Sequence, residues 1–186
     1  FIPGSSYYDS WYKKGSWGGT TTISNAIGQG EVLTTPIQMA NFTATIANRG
    51  YFIKPHFKKS FTPTEKDSLY AKNYTLIDTK HFETVIEGMH QVVEKGTAKI
   101  ARIKGIEVCG KTGTVQNPHG EDHSVFIAFA PKENPKIAIA VIVENAGFGG
   151  TWAAPIASLM IEKYLLKTCN SSQKEARVVK ANLIEP

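Results

Sequence analysis

The chain has 186 residues, 41% hydrophobic and 20% charged, and 21 Lys and Arg against 16 Asp and Glu give it a net charge of +5. These are ordinary values for one globular domain or lobe with a real core, and they exclude a disordered chain. No uninterrupted apolar run approaches the roughly 20 residues a membrane span needs, and two cysteines, Cys109 and Cys169, are too few for a disulfide framework and are expected as unpaired, largely buried thiols.

In chain order, Phe1-Ile2-Pro3-Gly4 has neither Met nor a signal segment, so the piece is expected to be excised from something longer. Residues 1–22, rich in Gly, Ser, Thr and aromatics without a period, are expected as an irregular extended segment. The next stretch, 23–167, is expected to form the folded body. A first helix is predicted from about Thr35 to Asn48, with Pro36 in its first turn, Gly50 as its stop and Ile37, Ala40, Ala44 and Ala47 as its apolar face. Tyr51-Phe52-Ile53-Lys54 reads as a short strand, and 56–77 is polar and ambiguous. Phe82, Val85, Ile86, Met89, Val92 and Val93 form one stripe at helical spacing, with Asp78 as cap and Gly96 as stop. Three strands follow, Ile106 to Thr114, Ser124 to Ala130 and Ile137 to Glu144, the last two joined by the turn Pro131 to Pro135 as an antiparallel hairpin. The third is apolar on both faces and is expected to be central. A glycine loop, Gly147 to Gly150, leads into a final helix from about Ala153 to Lys167, and 168–186 reads as a flexible tail. The class is α+β, an antiparallel sheet flanked by helices.

Two motifs compete for Lys111. Gly105 to Thr112 is a literal G-x-x-x-x-G-K-T, the phosphate-cradling loop of P-loop NTPases. That loop must turn its N–H groups inward and feed at once into a helix. Here β-branched Ile106 and Val108 alternate with polar residues, and Gly113 and then Asn117-Pro118-His119-Gly120 follow, so the setting favours a strand. The rival reading takes Lys111-Thr112-Gly113-Thr114 as the K-T-G element of serine acyltransferases that react with β-lactams. On a strand, Thr112 and Thr114 share a face and can hold a carboxylate. Lys111 supplies positive charge, Gly113 lets a substrate backbone lie against the edge, and the Thr114 N–H can meet a developing oxyanion.

Beyond that tetrapeptide, several segments closely resemble the class B penicillin-binding proteins. They are Ile27-Gly28-Gln29-Gly30-Glu31, Thr35-Pro36-Ile37-Gln38-Met39-Ala40, Ala47-Asn48-Arg49-Gly50, Lys111 through Gln116, Asp122-His123, Phe129-Ala130-Pro131 and Asn134-Pro135, in the family's order and at roughly its spacing. Gly-Gln-Gly-Glu, with Gln116 after the K-T-G-T, looks more like the elongation, rod-shape type (penicillin-binding protein 2) than the septation type. The resemblance implies the C-terminal portion of the penicillin-binding, serine β-lactamase-like transpeptidase fold. It implies a parent D,D-transpeptidase that cross-links peptidoglycan stem peptides ending in D-Ala-D-Ala and is acylated by β-lactam antibiotics. The parent would work on the extracytoplasmic face of the bacterial inner membrane, anchored by a segment absent here, beside other cell-elongation proteins and without a cofactor. By resemblance, Lys111, Thr112, Gly113 and Thr114 bind substrate, with Gln116 and His123 as possible supports.

Two elements of that machinery are not found. Ser10-Trp11-Tyr12-Lys13 and Ser171-Ser172-Gln173-Lys174 fit S-x-x-K as text, but neither serine heads an apolar-periodic helix, and Ser24-Asn25-Ala26 is not S-x-N. In the family both elements precede the Gly-Gln-Gly segment, so the nucleophile is expected outside this fragment, which alone should be inactive or act only as a binding module. A serine β-lactamase is the nearest rival of similar chemistry. His119 and His123, four apart, invite a metal, but Pro118 and Gly120 deny them the helix that would join them, so none is expected. Lys163, Lys167, Lys174, Arg177 and Lys180 lack interleaved aromatics, so no nucleic acid partner is expected.

Overall fold

The computed structural model describes residues 2–13, 15–59 and 62–181. They form two compact units, 1–35 and 36–186.

The first unit is helical where the sequence suggested extended chain. Helix α1 (Ser5–Trp11) and helix α2 (Gly19–Ala26) are too short to hold by propensity alone. What holds them is a cluster around Tyr8, the buried side chain of α1. The Tyr8 ring stacks on Trp17 with centroids 5.0 Å apart. The hydroxyls of Tyr8 and Tyr12 donate to the two carboxylate oxygens of Glu31, at 3.2 and 2.5 Å. The amide of Asn25, on α2, donates to the Tyr8 oxygen at 2.5 Å. A carboxylate that gathers two phenols is a non-local signal, which composition alone does not reveal.

The second unit is a three-stranded antiparallel sheet with helices on both faces. Helix α3 (Pro36–Ala47) starts with proline at its first position, where no N–H is needed, and ends as Arg49 and Gly50 turn left-handed at φ 59° and 110°. Its buried residues are Thr43, Ile46 and Ala47. The expected face is thus corrected: Ile37 is exposed, and Ala40 and Ala44 are only half-buried. Strand β1 (Tyr51–Phe52) pairs antiparallel with β2 (Asn73–Tyr74), and between them lies α4 (Pro63–Leu69), capped by the Thr62 hydroxyl, which accepts from the Glu65 N–H.

Helix α5 (Lys80–Glu94) buries Phe82, Ile86, Met89 and Val93, while Val85 is exposed. Asp78 accepts from the Lys80 N–H at 3.1 Å, and this backbone donor holds its carboxyl below the usual range. After α5 comes a 3₁₀ turn (Lys99–Ala101), then strands β3 (Cys109–Val115), β4 (His123–Ala130) and β5 (Ile137–Val143), paired in the order β3-β4-β5. Helix α6 (Ala153–Leu166) ends at Lys167 in a left-handed cap, φ 64°. Helix α7 (Ser172–Lys180) forms where a flexible tail was expected, fixed by Lys174, whose ammonium donates to the Ser158 hydroxyl of α6 and the Arg102 carbonyl.

Central position falls to β4, not β5: among the described residues β5 pairs on one side only. Its apolar character has a different cause. Helix α3 packs on it as well as α6, so both faces meet hydrophobic cover even at a sheet edge. The core has two halves. Val108, Phe126, Ala128, Ala130 and Ile139 pack with Ala153, Ala154, Ala157 and Ile161 of α6. Cys109 and Phe129 pack with Ile46 and Ala47 of α3 and Phe82, Ile86 and Met89 of α5. Phe126 and Phe129 are fully buried, and truncating either to Ala would cost about 3–5 kcal/mol.

Candidate functional site

The site grows from β3. Ile103 and Ile106 bridge across a tight turn at Gly105, φ 79°, and from Cys109 the chain runs straight to Val115. Lys111 and Thr112 therefore sit inside a strand that leads to no helix, which removes the P-loop reading of Gly105–Thr112: from Cys109 on the backbone is extended and paired with β4, so successive N–H groups point in opposite directions and cannot converge on a phosphate. The strand begins later than Ile106 because that residue is taken up by the turn.

Register fixes the faces. Thr112 lies opposite Phe126 and Thr114 opposite Ser124, so both threonines share the face that α6 covers along β4. Lys111 and Gly113 alternate to the other face. Lys111 is exposed, makes no ion pair among the described residues, and donates to the Thr112 carbonyl at 2.6 Å. An ammonium without an ion pair, at a strand that pairs on one side only among the described residues, is a local attractor for anions.

Two loops close in on the threonine face. One is the turn after α5. The N–H groups of Gly96 and Ala98 bond to the Gln91 and Val92 carbonyls, Ala98 is fully buried, and the Thr97 hydroxyl lies 2.8 Å from that of Thr112. The other is the glycine loop between β5 and α6. Buried Ser124 ties it down, its hydroxyl donating to the Phe148 carbonyl at 2.9 Å and accepting from the Ala153 N–H at 3.1 Å, so a strand residue caps the start of α6. Gly149 lies so close to the strands that a Cβ there would fall 2.5 Å from the Gly113 carbonyl oxygen, and a Cβ on Gly150 would fall 2.7 Å from that of Thr97. Sequence reading missed Thr97 and Ser124. Both act through tertiary contact, and the only local hint was a hydroxyl residue next to the helix stop Gly96.

Of the supporting candidates, Gln116 follows β3 and is exposed. His123 opens β4 opposite Val115, and its Nδ1 accepts from the Asn145 N–H at 3.0 Å, which fixes the tautomer with its proton on Nε2. Beside it, Asp122 accepts from the Asn117 N–H at 3.1 Å, and Asn117 donates to the Asn145 amide oxygen at 2.7 Å. These bonds lock the β3–β4 loop to the chain leaving β5. His119 joins no group of metal-ligating side chains among the described residues.

The two S-x-x-K text matches assemble no nucleophile. The Ser10 hydroxyl donates to the Tyr7 carbonyl at 2.7 Å. Lys174 reaches Ser158 at 2.6 Å, not Ser171, and Ser158 has no exposure to solvent. Burial pushes the Lys174 ammonium below its usual range, with Glu162 opposing. This pair fastens α7 to α6 rather than facing a substrate.

The family model for the penicillin binding protein transpeptidase domain matches residues 5–162. The chain is 35% identical over 187 residues to the peptidoglycan D,D-transpeptidase MrdA of Haemophilus influenzae, an alignment covering 88% of this chain and 28% of that protein. It is 32% identical to the peptidoglycan D,D-transpeptidase PbpA of Mycolicibacterium smegmatis, covering 74% of this chain and 30% of the relative. Among solved structures, PBP2 of Pseudomonas aeruginosa in complex with WCK 5153 has a TM-score of 0.74 at 34% identity, covering 88% of this chain and 36% of that one. PBP2 of Helicobacter pylori in complex with MreC also has a TM-score of 0.74, at 28% identity, covering 89% of this chain and 31% of that one. The chain thus spans well under half the length of each of these proteins.

Proposed function

This chain belongs to the penicillin-binding protein transpeptidase family, and from that premise we propose that it forms the substrate-gripping part of a peptidoglycan D,D-transpeptidase of the elongation, penicillin-binding protein 2 type. The observation that carries the reading is β3: an extended strand that, among the described residues, pairs on one side only, with Lys111 exposed on one face and Thr112 and Thr114 together on the other.

In this reading the stem peptide's terminal carboxylate meets the Thr112 and Thr114 hydroxyls, and the Lys111 ammonium draws it in. Gly113 lets the peptide backbone lie along the strand, and the Thr114 N–H stabilises the oxyanion that forms when a serine attacks the D-Ala-D-Ala carbonyl. D-Ala leaves, and an amine from a neighbouring strand takes the acyl group. β-Lactams would occupy the same edge. Solved complexes of Mycobacterium tuberculosis penicillin-binding protein A include ceftriaxone, imipenem and penicillin G acyl-enzymes. The nucleophilic serine and the S-x-N element come from polypeptide outside residues 1–186. The whole protein would act on the extracytoplasmic face of the membrane with other elongation proteins, in keeping with the solved H. pylori PBP2–MreC complex. Among the described residues no helix is long and apolar enough to cross a membrane.

The test is intact mass of this chain after incubation with a fluorescent penicillin, beside the full-length transpeptidase. The chain should stay unmodified and the full-length protein should gain one adduct. A stoichiometric adduct on this chain, above all on Ser10, would overturn the assignment of the nucleophile.

A further inference from the structure

Thr97 stands outside the K-T-G-T motif, yet its hydroxyl lies within hydrogen-bond distance of the Thr112 hydroxyl, at 2.8 Å. Two bonded hydroxyls share one hydrogen between them and leave the other free. If Thr97 donates to Thr112, the Thr112 proton is released outward; if the direction reverses, the Thr97 proton is. Either way the pair presents one outward O–H donor, strengthened because the inner bond polarises it. A lone threonine would have its rotor free and would sacrifice entropy on meeting an anion.

The backbone beneath Thr97 is built to hold that geometry. The flanking Gly96 and Ala98 N–H groups are both bonded back to α5, Ala98 is fully buried, and the Thr97 carbonyl sits against Gly150. Thr97 itself is exposed, as is Lys111 one position before Thr112. An exposed hydroxyl on an anchored turn, bonded to a strand threonine whose carbonyl accepts from the Lys111 ammonium, is a pre-organised anion donor.

We propose that Thr97 is a positioning residue for carboxylate recognition: it orients the Thr112 hydroxyl so that the pair donates to the terminal carboxylate of the stem peptide or of a penicillin. This rests on the reading of β3 given above. It predicts that loss of the Thr97 hydroxyl is felt only by ligands that carry the carboxylate.

The experiment measures the second-order rate of acylation of the full-length transpeptidase by benzylpenicillin and by its methyl ester, for wild type, Thr97→Val, Thr97→Ser and Thr112→Val. Thr97→Val should slow benzylpenicillin by about tenfold, the scale of one charge-assisted hydrogen bond, and leave the ester rate unchanged. Thr97→Ser, which keeps the hydroxyl, should restore the acid rate to within about twofold. Equal slowing of acid and ester, or no slowing by Thr97→Val while Thr112→Val alters the acid-to-ester ratio, would overturn the role of Thr97 and leave the β3 reading standing. An unchanged ratio in Thr112→Val would overturn the β3 reading itself.

Discussion

Gly149 gives the sharpest quantitative expectation. A Cβ at that position would lie 2.2 Å from the Val125 carbonyl oxygen and 2.5 Å from that of Gly113, about 1 Å short of the roughly 3.3 Å at which carbon and oxygen settle. Both obstacles are backbone within the β3–β4 ladder, so neither can swing away as a side chain would. The loop must instead lift, and lifting draws the Phe148 carbonyl and the Ala153 N–H away from the Ser124 hydroxyl that holds them. Overpacking of this kind costs about 1–3 kcal/mol, and weakening the two hydrogen bonds of the Ser124 hydroxyl adds about 1 kcal/mol. A total of about 3 kcal/mol lowers the melting temperature of a unit this size by roughly 6–12 °C. Thermal unfolding of Gly149→Ala, followed by far-ultraviolet circular dichroism, measures it. A melting point within about 2 °C of wild type would mean that the loop does not rest on the strands, and the account of what closes the threonine face would fall.

Ser124→Ala should lower stability by about 2 kcal/mol in urea unfolding, because it removes the fully buried hydroxyl that satisfies the Phe148 carbonyl and the buried first N–H of α6; an unchanged midpoint would rule out that cap. Burial pushes the Cys109 thiol up to about 12, so iodoacetamide at about pH 8 should alkylate half-buried Cys169 first and reach Cys109 only after unfolding; equal rates on the folded chain would contradict this. The Tyr12 hydroxyl, more than any other group, holds the Glu31 carboxyl below its ordinary 4.5. Its contribution is therefore full above that value and lost as pH falls through the depressed one. Tryptophan fluorescence reporting Trp11 and Trp17 should show an acid transition below the usual glutamate range that Glu31→Gln abolishes, and persistence of that transition in the variant would refute the link.

What could be read in the sequence was whatever a local period or a capping residue encodes. The α5 stripe from Phe82 to Val93 was visible because it acts within one helix, whereas the cap position falls to Thr79 and the expected Asp78 sits one residue earlier, accepting from the Lys80 N–H. Even there Val85 was misplaced, since a stripe gives a face but not the width that a neighbour covers. Helix α4 carried a readable signal that went unused: Thr62-Pro63-Thr64-Glu65 has a hydroxyl cap, proline at the first helical position and glutamate at the third. Helices α1 and α2 had no such signal, because the Tyr8–Trp17 stack and the Glu31 carboxylate that hold them join residues between 9 and 23 positions apart.

The candidate site divides along the same line. Lys111, Thr112, Gly113 and Thr114 were legible because a strand's alternation assigns faces without any tertiary knowledge. Their surroundings were not, since Thr97 arrives from the end of α5 and Gly149 from the loop before α6, 15 positions before Thr112 and well beyond Gly113 in sequence. What brings them together is the sheet register. Placing Thr114 opposite Ser124 puts the serine hydroxyl under the glycine loop, and the loop then lies over Gly113 and against the Thr97 carbonyl. A slip of one residue in the β3–β4 pairing would turn Ser124 to the opposite face and free both loops, leaving the K-T-G-T text intact and its threonines without a partner. The motif names the donors; the register decides whether they are held.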